Sequence, residues 1–401
     1  SSDVCSSDLS LWDKMKTKSH PGRIRSKATD VNEYRFNVPV GLRRSPVADS
    51  EEEGESTCHK SPKAQPANAL AFKDADKGKD IQKYKRLLES DRIDMKSLRT
   101  LAWKGIPSEY RAVTWKLLLG YLPSVRSRQQ AIIQRKRREY KEYIPRLFEV
   151  DDSERTEDEL AALHQISVDV PRTSCGSIIL KSEDMQLRLK RLLYIWANRH
   201  PACGYVQGIN DLCVPFIITF LNDHFPDMVC ELDWEAVDAS VLDEVEADTY
   251  YCISRLLDGI QDHYTTDQPG IQRMVKKLED LVRRTDAELY NHIQQEGLLF
   301  LQFAFRYMNC LLIREFNMRT IIRLWDTYLS ETNGFDVFHV YVCAVFIKMS
   351  HDDLIDKDFQ SMLLYLQNPP TDNWTEQDVE ELLSQAFILK SLFEETDRKS
   401  V

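Results

Sequence analysis

Apolar positions recur at three- and four-residue steps through most of this chain, the period of an amphipathic helix, and they nowhere alternate convincingly with polar ones as a strand requires. The first stripe begins near Ile81 with Tyr84, Leu87 and Leu88. A second helix carries Leu98, Leu101 and Trp103 and ends at the punctuation Gly105-Ile106-Pro107. A third carries Arg111, Trp115, Leu118 and Leu119 and stops before Gly120-Tyr121-Leu122-Pro123. Met185, Leu189, Leu192, Leu193 and Trp196 predict an amphipathic helix with one buried face. Val214, Phe216, Ile217, Phe220 and Leu221 predict a buried helix, and Ile271 to Val282 a further stripe. Leu298 to Ile313, Arg319 to Leu329, Phe335 to Met349 and Asp378 to Phe393 read as helices joined by short polar loops. The pattern predicts an all-α fold of two packed helical lobes over residues 80–395, the second lobe built on these last four helices. Residues 396–401 read as a flexible C-terminus.

The N-terminal stretch lacks such a pattern. Residues 1–10 form a near-repeat without an initiator methionine and read as a non-native extension, which is set aside. Up to residue 79 the chain mixes Pro, Ser, Lys and Glu, with an acidic run at Glu51-Glu52-Glu53, so residues 1–79 read as a disordered tail. Ser45-Pro46 and Ser61-Pro62 are candidate phosphorylation sites, but dipeptides this short arise by chance.

Composition narrows the class. A 401-residue chain that is 42% hydrophobic has enough apolar material for more than one lobe. A formal charge of −11 argues against nucleic acid as the main partner. Nine cysteines without a C-x-x-C pair point to free thiols in a reducing compartment. No stretch reaches the roughly 18 to 20 uninterrupted apolar residues of a membrane span, so the expectation is a soluble protein. Leu298 to Ile313 comes nearest, but Gln302, Arg306 and Asn309 interrupt it, and it reads as a central core helix.

Two charged blocks stand out. Residues 126–146 hold eight Lys or Arg with Ile132, Ile133, Tyr140 and Tyr143 interleaved. This block reads as a solvated helix face whose field is offset by the acidic run Glu149 to Glu159, rather than as an RNA or membrane site. Residues 231–248 hold eight acids and no Lys or Arg. They read as a solvated face or loop, or alternatively as groups that shape the field of a binding groove. Arg111 and Trp115, four apart on one helix face, read as structural, the guanidinium packing and bonding near the ring.

Candidate chemistry sits between Ile166 and Asp211. Ile166-Ser-Val-Asp169-Val-Pro-Arg172 opens the stretch and Gly204-Tyr205-Val-Gln207-Gly-Ile-Asn210-Asp211 closes it, with the Met185–Trp196 helix between. Pro171 disfavours helix at Val170, so Arg172 is expected to project from an irregular segment. Gln207 falls just before a new helix. An arginine and a glutamine on neighbouring loops suit phosphoryl transfer to water, where charge builds on equatorial oxygens and the water must be aligned.

These strings resemble the TBC domain of GTPase-activating proteins for Rab GTPases. Gly105-Ile-Pro with Leu118-Leu-Gly-Tyr-Leu-Pro123, Phe303-Ala-Phe-Arg306-Tyr-Met-Asn309, Leu312-Ile-Arg314-Glu315-Phe and Ile322-Arg323-Leu-Trp325-Asp326 extend the resemblance over about Leu98 to Phe393. It implies that Arg172 is an arginine finger and Gln207 a glutamine finger replacing the GTPase's own glutamine. Asp169 would orient Arg172, with Tyr205, Asn210 and Asp211 supporting and Arg111, Trp115, Trp325 and Asp326 structural. The implied partner is a Rab GTPase in its GTP-bound form, which itself carries GTP and Mg2+. Within the family the chain is similar to a Golgi-associated subgroup, which implies a cytoplasmic protein acting in vesicle trafficking at Golgi membranes, with adaptors for the tail. Cys203, Cys213-Val214 and Cys175-Gly176 depart from the commoner pattern without removing a catalytic group. The alternative is a TBC-fold module that binds a Rab or adaptor without accelerating hydrolysis.

No phosphate-binding loop, dinucleotide fingerprint, H-E-x-x-H or zinc-ligand cluster occurs, so the chain is expected to bind no cofactor or metal of its own. His200, Cys203 and Asp211 are close only in sequence, which gives no triad geometry, and Cys203 reads as a free thiol.

Overall fold

Helix periodicity translates directly into burial in the computed structural model, which describes residues 80–173, 182–226 and 237–399. The expected tail over residues 1–79, with Ser45 and Ser61, lies outside the described residues, as do Cys175-Gly176 and the first part of the acidic run.

The helices are α1 (Ile81–Leu88), α2 (Met95–Ala102), α3 (Ser108–Leu118), α4 (Arg126–Tyr143), α5 (Glu157–Asp169), α6 (Glu183–Arg199), α7 (Ile209–His224) and α8 (Ala239–Gly259). They continue with α9 (Pro269–Thr285), α10 (Ala287–Gln295), α11 (Phe300–Asn309), α12 (Met318–Ser330), α13 (His339–Met349), α14 (His351–Leu354), α15 (Phe359–Gln367) and α16 (Glu376–Lys399). Among the described residues the only β feature is an isolated bridge between Arg92 and Val125. The fold is all-α.

In the first lobe α7 packs on α8 and α3, while α6 packs on α5 and α8. In the second, α9 packs on α11 and α13, and α16 lies against α12 and α13. The two share one continuous apolar core because α12 also packs on α2, α3 and α7. That joint is polar at its centre. Asp326 of α12, fully buried, accepts from Trp115 Nε1 at 2.8 Å, from the Ile106 N–H at 2.9 Å and from Arg111 Nε at 3.2 Å. Arg111 and Trp115, expected to lie near one another, share this carboxylate, while the indole meets Phe216 edge-on and Trp325 obliquely. One carboxylate compensates both donors.

Other expectations need correction. The helix expected over Leu298 to Ile313 stops at Asn309, and the chain then turns through Leu311 and Leu312, both left-handed at φ 51° and 62°. Apolar composition alone does not reveal this turn. The described part of the acidic run is solvated only in part: Asp238 is exposed and Asp243 and Glu244 keep open side chains, whereas the last two acids turn inward. Asp248 and Glu246 are buried within α8. Asp248 accepts from Lys116 Nζ at 2.6 Å and from Arg137 Nη2 at 2.8 Å. Glu246 accepts from Arg191 Nε at 2.7 Å, Arg188 Nη1 at 3.2 Å and the Tyr140 hydroxyl at 2.5 Å. Despite its burial, Asp248 is held below the usual carboxylate range by Lys116 and Arg137. Within the basic block, Arg137 and Lys141 pair with acids of α8 across the helix interface, while Arg135 and Lys136 pair with Glu139 on their own helix.

Candidate functional site

Arg172 is positioned by the end of α5. A capping box between Thr156 and Glu159 starts this helix, and the Val170 N–H still bonds to the Ile166 carbonyl at its far end. The backbone then tightens into a single 3-10 turn, Val170–Arg172. Val170 keeps helical dihedrals of −57° and −49°, so Arg172 ends a helical extension rather than projecting from an irregular segment. Pro171 fits because it occupies the first turn of the 3-10 segment, where its missing N–H costs least.

The arginine is half exposed, with 52% of its side-chain surface open, whereas its partner Asp169 is buried. Arg172 Nε donates to Asp169 Oδ1 at 2.9 Å, and Nη2 reaches the same oxygen. The other carboxylate oxygen accepts the Tyr205 hydroxyl at 2.9 Å, and Gln165 Nε2 bridges both oxygens at 3.1 and 3.2 Å. Asp169 thus fixes one edge of the guanidinium and leaves the rest facing solvent. Burial, and then the Asp169 charge, push the Tyr205 hydroxyl far above its ordinary pKa, so it stays protonated as a donor.

Gln207 lies on the loop that leads from α6 into α7, between Gly204 at φ 61° and Gly208 at φ 112°. Gly208 is the N-cap of α7, which begins at Ile209, and the whole buried length of that helix anchors the loop. The Gln207 side chain is exposed, and among the described residues nothing hydrogen-bonds its amide. Asn210 ties this loop to the arginine segment. Its Oδ1 accepts the Gly208 N–H at 3.0 Å, and its Nδ2 donates to Thr173 Oγ1 at 2.9 Å. The Thr173 hydroxyl in turn donates to the Asp169 carbonyl at 3.2 Å. Asp211 turns the other way and accepts from Arg314 Nε at 2.8 Å and Nη2 at 2.6 Å.

Asp169, Arg172, Tyr205, Gln207 and Asn210 are therefore brought to one place by a hydrogen-bonded seam. Arg111, Trp115, Trp325 and Asp326 lie in the core joint instead. Sequence reading did not assign Gln165, Thr173, Asn309 or Arg314 to this neighbourhood. Gln165 is one helical turn before Asp169 and was legible by spacing. Asn309 and Arg314, about a hundred residues downstream of Gln207, carried no local signal. His200, Cys203 and Asp211 form no triad, since His200 Nδ1 faces the Trp196 carbonyl at 2.8 Å and Asp211 pairs with Arg314. Among the described residues no group of three His, Cys, Asp or Glu side chains is arranged to hold a metal ion. No described helix is long and apolar enough to cross a membrane.

A bare guanidinium edge and a free amide on adjoining, mutually braced loops form a donor surface for a ligand that brings its own negative charge. Comparison with known proteins shows the family of the chain. The Rab-GTPase-TBC domain profile matches residues 108–355. The chain is 47% identical over 319 residues to the GTPase-activating protein gyp1 of Schizosaccharomyces pombe, covering 78% of this chain and 61% of that protein. It is 46% identical over 329 residues to human TBC1 domain family member 22A, covering 82% and 62% respectively. The chain thus spans about three fifths of the length of these curated relatives. The crystal structure of the Ypt/Rab-GAP domain of Gyp1p superposes with a TM-score of 0.74 at 48% identity, covering 78% of this chain and 98% of that one. On the span of the matching profile and the identity to both relatives, the chain belongs to the Rab-GTPase-TBC domain family.

Proposed function

We propose that this chain is a GTPase-activating protein that accelerates hydrolysis of GTP bound to a Rab GTPase, inserting Arg172 and Gln207 into the partner's active site. The observation that carries this reading is the asymmetry at Arg172. Its inner edge is held by buried Asp169 while 52% of its side-chain surface stays open to a partner. A planar, permanent charge with several donors can bridge the leaving and transferred phosphate oxygens as negative charge develops. Pre-orientation removes the reorganisation that a freely rotating arginine would undergo at the transition state.

Gln207 completes the chemistry. Its amide both accepts and donates, so it can hold the attacking water in line and contact the phosphoryl group at once, replacing the partner's own glutamine. The chain supplies no nucleotide or metal site in this scheme, because GTP and Mg2+ arrive with the GTPase. The trafficking role and a place at Golgi membranes follow from this reading and the resemblance to a Golgi-associated subgroup.

Single-turnover GTP hydrolysis across a set of purified Rab GTPases tests the proposal. At least one Rab should be accelerated by the parent protein and by neither Arg172→Ala nor Gln207→Ala. Acceleration of no Rab, or equal acceleration by both variants, overturns it and leaves a binding module in its place.

A further inference from the structure

Among the described residues no hydrogen bond restrains the Gln207 side chain, so the placement of its amide depends on its main chain. That main chain is held from the second lobe. Asn309, the last residue of α11 and nearly fully buried, donates from Nδ2 to the Gln207 carbonyl at 2.9 Å. Its own carbonyl accepts the buried Tyr264 hydroxyl at 2.8 Å, which pins Asn309 to the core.

Three further observations single out this contact. The amide orientation that serves Gln207 leaves Asn309 Oδ1 buried without a hydrogen-bond partner among the described residues. Beside a weak 3.8 Å contact from Nδ2 to the neighbouring Cys310 Sγ, the bond to the Gln207 carbonyl is what distinguishes this side chain from an apolar residue of similar size. The fit to the glutamine loop is also close: a Cβ built on Gly208 would lie 2.4 Å from Asn309 Nδ2 and 3.4 Å from Cys310 Sγ. Finally, the chain leaves Asn309 through two consecutive left-handed leucines, Leu311 and Leu312, a conformation that L-residues with bulky side chains rarely adopt. This turn also delivers Arg314 to Asp211 in the first turn of α7.

We infer that Asn309 is a positioning residue for the stimulated hydrolysis: through the Gln207 carbonyl it sets where the glutamine amide meets the attacking water. The inference rests on the proposed role of Gln207. It is distinct from that role because Asn309 lies on another lobe and is buried.

A double-mutant cycle tests it, using single-turnover hydrolysis on the Rab GTPase that responds to the parent protein. Maximal rate and half-saturating activator concentration are measured for Gln207→Ala, Asn309→Ala, Asn309→Asp and the Gln207→Ala/Asn309→Ala double variant, alongside thermal midpoints. Asn309→Ala and Asn309→Asp should each lower the maximal rate about 10- to 100-fold, the range expected for a misplaced reacting group, with half-saturation and a single cooperative melt retained. The double variant should be no slower than Gln207→Ala alone, because both changes disable one device. Gly208→Ala should reproduce the rate loss by pushing the amide away. If Gln207→Ala is slow but Asn309→Ala and Gly208→Ala keep the parent's maximal rate, the inference falls while the glutamine finger stands. Losses that simply multiply in the double variant, or that track half-saturation, also overturn it. If Gln207→Ala itself keeps full rate, the catalytic reading of Gln207 fails first and carries this inference with it.

Discussion

The indole Nε1 of Trp115 in α3 donates to the buried Oδ1 of Asp326 in α12 at 2.8 Å, and the same carboxylate accepts the Ile106 N–H and Arg111 Nε. This is the polar centre of the joint between the lobes. Removing the carboxylate takes the charged acceptor from a buried guanidinium and an indole donor, so Asp326→Ala should destabilise by about 3–5 kcal/mol. Trp115→Phe removes the donor together with part of the buried indole, so the bond is read from its coupling to Asp326→Asn, expected at about 1–3 kcal/mol. Urea unfolding of the single and double variants reads both quantities; additive losses would show that the indole bond is dispensable.

Arg172 should tolerate no substitution of its fork. Both Arg172→Ala and Arg172→Lys are expected to lower the stimulated rate by about 10³ to 10⁵, because lysine offers a point charge where two oxygens must be bridged. Their thermal midpoints should stay close to the parent's, since the side chain is half exposed. A lysine variant with near-parent activity would mean that charge alone suffices.

Gln207 predicts an unusual partner response. If it supplies the water-orienting amide, a Rab GTPase mutated at its own glutamine should still be accelerated, and Gln207→Ala should abolish that residual stimulation. The readout is phosphate release in a single turnover with the mutant GTPase. Complete unresponsiveness of that GTPase to the parent protein would assign water alignment to the Rab.

Asp169 holds Arg172, Tyr205 and Gln165 on one buried carboxylate. Asp169→Ala should lower maximal rate about tenfold or more through misorientation of Arg172, and should also destabilise by about 1–3 kcal/mol because the Tyr205 hydroxyl loses its charged acceptor. Asp169→Asn should recover part of the stability and less of the rate. Chemical denaturation and single-turnover rates together separate the two effects.

His339 should limit stability in acid. It is fully buried, with Nε2 directed at the Tyr307 carbonyl at 3.0 Å and Nδ1 facing the Tyr328 hydroxyl at 2.8 Å, an arrangement that suits the neutral ring. Burial pushes its pKa from 6.5 down to about 3. Because the folded value lies below the unfolded one, the unfolded chain binds the proton first. The contribution is complete above about pH 6.5 and is lost as pH falls towards 3. Urea midpoints at pH 7.5, 6 and 5 should therefore fall more steeply for the parent than for His339→Gln, and parallel curves would exclude this histidine as the source.

The family strings and the helical periods were legible in the sequence because they are local. A 3.6-residue stripe declares which face is buried whatever it packs against, and Asp169 and Arg172 lie three apart on one chain segment, Tyr205 and Gln207 two apart on another. Even the capping box of α5 is written in adjacent residues. What tertiary structure decided are the partnerships between residues far apart in the chain. The acidic run looked solvated because its cations, Lys116, Arg137, Arg188 and Arg191, lie on three other helices. Arg111 and Trp115 were assigned to each other because Asp326, their common acceptor, is more than two hundred residues away. The apolar stretch beyond Asn309 looked helical because hydrophobicity does not encode φ, and two left-handed leucines are set by the packing around them. For the same reason Asn309 was invisible as a neighbour of Gln207. A buried hydrogen bond has a direction and a distance, and neither exists until both lobes have folded around it.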